Sequence, residues 1–183
     1  MNSDIVAIWT VPLYDKMHKI EFEHGTTTGK RIIRVDGREV LRKDWMFKLV
    51  GRETFSIEKI KCAITVEAIG TFDYEYSLEV NGKSYEKFRE EQKRSLKIWL
   101  AIIDGEETRI CLEKGTMDIW VNDTKIDSAG EFVEDGTETH FEVGRNICCI
   151  KAISSGRKNI GIVHRLFVNE KEIPSLDDQK IQT

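Results

Sequence analysis

Apolar and polar residues alternate one for one along short stretches of this chain. The clearest stretch has Phe72, Tyr74, Tyr76, Leu78 and Val80 as its apolar positions, with Thr71, Asp73, Glu75, Ser77 and Glu79 between them. Successive side chains of a strand point to opposite faces, so a period of two predicts a strand with one buried and one wet face. Ile20 and Phe22, set among Lys19, Glu21 and Glu23, predict another, as do Ile64, Val66 and Ala68, and Ile119 with Val121. Long helical patterns are absent, and Pro12 and Pro174 are the only prolines.

The alternating runs are closed by tight-turn pairs: Asp36-Gly37, Asn81-Gly82, Asp104-Gly105, Asn122-Asp123, Asp135-Gly136 and Asn169-Glu170. Such pairs accept the positive φ that a two-residue hairpin requires. About seven strands are expected in each half of the chain. Between the halves, residues 84–97 are dense in charge and lack a turn pair. Tyr85, Phe88, Gln92 and Leu96 fall there near helical spacing, which predicts a short helix or an ordered linker. The polar tail after Ile173-Pro174 is expected to fray.

Much of the pattern occurs twice. Ile8-Trp9 returns as Ile98-Trp99, and Lys19-Ile20, Glu23, Gly25 and Thr26 return as Arg109-Ile110, Glu113, Gly115 and Thr116. Phe47 with Gly51, Glu53 and Thr54 returns as Phe132 with Gly136, Glu138 and Thr139. Leu78, Val80, Asn81 and Lys83 return as Leu166, Val168, Asn169 and Lys171. The expected fold is therefore all-β: two tandem antiparallel β-sandwich domains, residues 1–91 and 92–183, related by internal duplication. Positions shared by the copies read as architecture, and positions held by one copy alone as candidates for function.

Composition narrows the class. At 183 residues, 40% hydrophobic and 33% charged, the chain reads as globular, and no apolar run reaches the ~20 residues of a membrane span. Residues 1–8 carry Asp4 and lack a basic region followed by an apolar stretch, so no secretory signal and a cytoplasmic location are expected. Cys62, Cys111, Cys148 and Cys149 have no C-x-x-C spacing and read as free thiols. The first 90 residues hold 15 Lys/Arg and 15 Asp/Glu, so the whole net charge of −4 falls on the rest. Nucleic-acid binding has no support from that balance.

These strings resemble the Fas apoptotic inhibitory molecule family in its short form. The first half carries the resemblance in His18-Lys-Ile-Glu-Phe-Glu-His-Gly-Thr26, Asp44-Trp-Met-Phe-Lys-Leu-Val-Gly51, Phe72-Asp-Tyr-Glu-Tyr76 and Asn81-Gly-Lys-Ser84. The second half carries it in Ala129-Gly-Glu-Phe-Val-Glu-Asp-Gly-Thr-Glu-Thr-His-Phe141 and Ile150-Lys-Ala-Ile-Ser-Ser-Gly156. It covers about Ile5 to Pro174, departing at Glu86–Ile98, at Cys148-Cys149 and in the tail. The resemblance implies two β-sandwich domains, no enzymatic reaction, a cytosolic role restraining death-receptor apoptosis, and links to survival signalling. It also implies an ability to hold misfolding proteins back from aggregation. Partners would be other proteins, signalling components or misfolded clients, with no membrane insertion. No catalytic residues carry over.

Motif chemistry adds little. Gly25-Thr-Thr-Thr-Gly29-Lys30-Arg31 falls one residue short of a phosphate-binding loop and has Arg31 where a hydroxyl is needed, so a lengthened hairpin is expected. His18, His24, His140 and His164 form no ligand pattern along the chain. His164, aligned with Tyr76, reads as a hydrogen-bonded core histidine, and His140, an extra residue against the first copy, as a β-bulge. No metal, cofactor or catalytic group is expected.

Differences between the copies supply the candidate contact residues. Trp9 and Trp99 align and read as core anchors. Trp45 aligns with Gly130 and Trp120 with Arg34, and Trp120 should point away from its own core, either as a binding anchor or packed against the linker or the other domain. Arg31, Arg34, Arg42 and Lys43, with Lys30 and Arg38, make one copy basic. Glu131, Glu134 and Asp135, with Glu138, make the other acidic. Either these are solvated faces, or they meet, between domains or by self-association of chains. Cys62 and Cys148 should face inward. Cys111 and Cys149 should be the accessible thiols.

Overall fold

The computed structural model describes residues 4–179. It is all-β, built from four antiparallel sheets. The first sheet runs β1 (Ile5–Pro12), β2 (Met17–His24), β3 (Arg31–Val35), β4 (Arg38–Lys43), each strand beside its chain neighbour. The second runs β5 (Gly51–Ile57), β6 (Ile60–Ala68), β7 (Tyr74–Val80), β8 (Lys83–Ser84) in the same way. Helix α1 (Tyr85–Ser95) follows. The third sheet then runs β9 (Leu96–Ile103), β10 (Glu106–Glu113), β11 (Asp118–Val121), β12 (Thr124–Ile126). The fourth runs β13 (Ala129–Val133), β14 (Gly136–Val143), β15 (Asn146–Ser154), β16 (Ile162–Val168), β17 (Lys171–Ile173), and the short helix α2 (Leu176–Gln179) ends the described chain.

The chain forms two compact units. One comprises residues 4–13 with Met17–Gln92, and the other Tyr14–Lys16 with residues 93–179. Each has its own core, closed by the inward faces of its two sheets. Val11, Ile20, Phe22 and Ile33 meet Ile57, Cys62, Ile64, Val66, Leu78 and Val80 in the first. Trp99, Ala101, Ile110, Leu112 and Ile119 meet Phe141, Cys148, Ile150 and Leu166 in the second. Trp99 is buried, while its counterpart Trp9 is half-buried against the first core.

The turn residues place the strands. Asp36-Gly37, Asn81-Gly82, Asp104-Gly105 and Asn169-Glu170 all take positive φ at both positions, which matches the twist of the hairpins they close. Asp135-Gly136 differs: Val133 pairs with Gly136, so Glu134 and Asp135 form the turn and Gly136 opens β14. A Cβ there would lie 1.9 Å from the Ala152 carbonyl oxygen, so the tight β14–β15 approach requires glycine.

Within the 84–97 segment, Tyr85–Ser95 form helix α1. Ser84 caps it, its hydroxyl oxygen accepting the Lys87 N–H at 3.3 Å, and Phe88 is buried in the first core with Tyr85 packed beside it. The Tyr85 hydroxyl donates to the Thr10 carbonyl (2.8 Å) and the Gln92 amide to that of Pro12 (3.0 Å).

Three local expectations are corrected. Phe72 lies before β7 rather than in it and is exposed, because Ile69 to Phe72 form a bend that breaks the alternation. His140 makes no bulge. The β13–β14 and β14–β15 ladders run through it without a register shift, and a longer hairpin absorbs the extra residue. Residues 174–179 are held rather than frayed. Ser175 is buried, pairs with Trp99 and exchanges capping hydrogen bonds with Asp178, whose carboxyl is thereby held below its ordinary pKa. The tail beyond residue 179 lies outside the described residues.

Candidate functional site

In the first unit the charged residues organise an exposed aromatic loop. Arg31 opens β3 opposite His24, and its side chain turns into the unit, leaving it only 2% exposed. Glu53 points inward from β5 and accepts the Arg31 Nη1–H at 2.8 Å. Arg31 Nη2 donates to the carbonyls of Lys48 (3.0 Å) and Val50 (2.8 Å). Lys43 adds a second cation to Glu53, 2.9 Å from Oε2. This buried guanidinium therefore fastens the far end of the loop between β4 and β5, while the Met46 N–H donates to the Thr28 carbonyl (2.9 Å) in its middle. Trp45 and Phe47 stand on the loop 61% and 95% exposed, rings edge to face at 6.5 Å. They line an open cleft of about 360 Å³ with Lys43 and Arg52.

The expected basic surface is corrected by this geometry. Arg31 is interior, Arg34 pairs with Glu23, Arg42 binds Glu39 (2.8 Å) and Asp44 (3.0 Å), and Lys43 serves Glu53. Lys30 binds Asp4 at 2.9 Å. The fold brings each of these five cations beside a carboxylate. Counting charges along the chain cannot show that pairing.

In the second unit Trp120 is half-buried. Its ring lies 4.1 Å from that of Tyr14, and its N–H donates to Glu113 Oε1 at 2.7 Å. The Tyr14 carbonyl in turn accepts a hydrogen bond from Arg109 (2.9 Å). Of Trp45 and Trp120, then, Trp45 is the open one. The acidic stretch does reach the surface: Glu131 on β13 and Glu134 and Asp135 in the turn are exposed. Phe132 among them is 93% exposed. Phe47 and Phe132 correspond in the repeat and so read as architecture, yet both are among the most exposed apolar side chains described.

The thiols also depart from expectation. Cys111 is fully buried, because Trp120 faces it across the β10–β11 ladder and the Tyr14 ring lies against that tryptophan. Burial pushes its pKa up to about 11, and does the same to the inward Cys62 and Cys148. Cys149 is half-buried on the outer face of β15. Its thiol is raised by burial and then by the charge of Glu138. All four are free cysteines.

The histidines sit in unlike places. His24 is buried, with Nδ1 2.8 Å from the Tyr76 hydroxyl, and burial lowers its pKa. His164 is half-buried rather than a core residue, and it too is lowered by burial, then by Lys114 and Lys97. His140 lies on the outer face of β14 with Glu138, opposite Cys149. Glu138, His140 and Cys149 each bring one donor atom within 4.8 Å of the other two. The sequence pattern missed this group because its members come together only across the hairpin.

The chain as a whole is similar to known proteins. A family model described as Fas apoptotic inhibitory molecule (FAIM1) matches residues 5–176. Fas apoptotic inhibitory molecule 1 of Homo sapiens is 54% identical over 176 residues, covering 95% of this chain and 98% of that protein. The protein of the same name from Mus musculus is also 54% identical, with the same coverage. That from Bos taurus is 53% identical over 95% of this chain and 88% of its own length. Among the described residues, no helix is long and apolar enough to cross a membrane.

Proposed function

The chain belongs to the Fas apoptotic inhibitory molecule family, and on that premise we propose that it restrains death-receptor apoptosis through protein contacts and supports survival signalling, without catalysis. The observation that carries this reading is the end-to-end likeness, at 53–54% identity, to proteins named for that role. The contact residues are Trp45 and Phe47 on the β4–β5 loop of the first unit and, as a separate surface, Phe132 with Glu131, Glu134 and Asp135 on the second. Exposed aromatic side chains are favoured anchors for protein partners because they bury large apolar area at low entropic cost. Cytosolic action fits four thiols that stand free.

The test is replacement in cells lacking the native protein, exposed to a Fas-type stimulus. Wild-type chain is expected to lower caspase activation, and a Trp45→Ser/Phe47→Ser pair to lose most of that effect at equal abundance. No protection by the wild-type chain overturns the function. Full protection by the double variant overturns the surface assignment alone.

A second reading, a holdase for misfolding proteins, is favoured by Phe47, Phe72 and Phe132 standing nearly bare and by the exposed edge strands β4 and β13. Light scattering from an aggregating client separates the two. Absence of suppression at equimolar chain removes the holdase and leaves the first reading intact.

A further inference from the structure

The outer face of β13–β15 carries a mixed set of donor groups that the contact reading leaves unused. Glu138 and His140 are two residues apart on β14 and so share a face. Cys149 is directly across from His140 in the β14–β15 ladder, and Glu131 is across from Glu138 in the β13–β14 ladder. His140 Nε2 lies 3.1 Å from Glu131 Oε1 and 3.3 Å from Glu138 Oε2. Cys149 Sγ closes the group, within 4.8 Å of the donor atoms of Glu138 and His140. We propose that His140, Cys149, Glu138 and Glu131 form a zinc-binding site on this sheet.

Distances and donor chemistry both point to zinc. Two nitrogen or oxygen ligands about 2.0–2.1 Å from a tetrahedral Zn²⁺ stand roughly 3.3 Å apart. The imidazole already stands at that spacing from each carboxylate, so an ion can enter once the thiol and the flexible Glu131 side chain swing inward to complete the shell. Thiolate, imidazole and carboxylate together suit borderline-soft Zn²⁺. Magnesium and calcium call for all-oxygen shells. Regular ladders fix the Cα positions of all four residues, and a rigid sheet is what a site of several strands needs.

On binding, Cys149 gives its thiol proton to solvent and its sulfur lone pair to the metal. His140 keeps its proton on Nδ1 and offers the Nε2 lone pair. Three anionic ligands against a dication leave one negative charge. Lys151, opposite Glu138 and 3.7 Å from its Oε1, offsets that charge. On its other side Cys149 pairs with Phe167, whose ring carries the Lys151 ammonium 4.9 Å from its centroid.

The experiment titrates Zn²⁺ into the metal-free full chain against a chromophoric chelator and repeats the titration with Co²⁺, whose absorption reports a bound thiolate. Wild type is expected to take up one equivalent of zinc and to show a thiolate-to-cobalt charge-transfer band. Cys149→Ser and His140→Gln should each weaken zinc at least as much as the roughly 10–100-fold lost with an outer-shell partner. Cys149→Ser should also lose the cobalt band, with metal-free unfolding curves unchanged. A third measurement needs no substitution: zinc should slow alkylation of Cys149 in the wild-type chain. Absence of stoichiometric zinc, uptake unchanged in either variant, or alkylation at the same rate with and without zinc overturns the site.

Discussion

Strand β5 in the first unit and strand β14 in the second begin alike and end on opposite chemistry. Each opens with a glycine at positive φ, Gly51 at 141° and Gly136 at 155°, and each has a glutamate two residues on and a threonine three on. Phe55 pairs with Cys62, and Phe141 with Cys148. Glu53 lies two residues before its phenylalanine and shares that inward face. Glu138 lies three before, because His140 is inserted, and faces out. A one-residue change of phase moves every side chain upstream of it to the other face of a sheet. One aligned glutamate is thus 4% exposed beside an arginine, and the other joins a histidine and a thiol outside.

The second unit compensates across its core. Val35 faces Ile20 on β2, and Val121 faces Ile110 on β10. Four residues earlier stand Arg31 in one unit and Met117 in the other. Where the first unit buries Arg31 with Glu53, the second has Met117 against its core and Thr139 buried at the inward position. A buried ion pair is weak evidence for stability, since a neutral pair of similar size often does as well. The guanidinium also bonds to Lys48 and Val50, and through those bonds it holds the loop that presents Trp45 and Phe47.

The largest expected effect follows from that contrast. Glu53→Thr leaves Arg31 buried without its carboxylate and should lower the unfolding free energy by about 3–5 kcal/mol. Converting both positions to the second unit's pair, Arg31→Met with Glu53→Thr, should recover most of that loss. Chemical denaturation, with hydrogen exchange read in β5 and β6, measures both. If the double variant is no more stable than the single one, the ion pair is structural in its own right and the comparison fails. If the double variant is stable yet loses protection in cells, Arg31 is the anchor of the contact loop.

A smaller effect is expected at Trp120, the aromatic residue the second unit keeps covered. Trp120→Phe retains a ring beside Tyr14 but removes the hydrogen bond to Glu113, which should lower stability by about 1 kcal/mol. The contrasting Trp45→Phe, at an open loop position, should leave stability within about 0.5 kcal/mol. Equal losses at the two sites would mean that exposure does not separate a packed tryptophan from a presented one.

Period-two alternation and the Asp-Gly and Asn-Gly pairs made the strands, the hairpins and both cores legible along the chain, since each depends on neighbours in sequence. Ile20, Phe22, Ile64, Leu78 and Ile119 are buried where their alternation placed them. The candidate site was less legible because it depends on pairing across strands. Arg31 reads as one of six surface cations until β5 brings Glu53 to it. Cys111 reads as outward until the Tyr14 ring is found against its neighbour Trp120. Phe47 and Phe132 show that recurrence in both halves does not make a residue internal.

The smallest expected effect tests the outward end of the comparison. Glu138→Gln removes a charge from a half-exposed carboxylate whose partners, His140 and Lys151, remain in water's reach, so metal-free stability should change by no more than about 0.5 kcal/mol. The aligned Glu53→Gln puts a neutral amide against a buried guanidinium and should fall well below wild type. Urea denaturation of the two variants side by side measures the difference. Equal losses would mean that Glu138 is as deeply engaged as Glu53 and that the phase change at His140 does not turn it outward. Unequal losses in the stated order locate the functional freedom of the second hairpin in the residue it gained, because a carboxylate that the fold does not depend on is one a ligand can recruit.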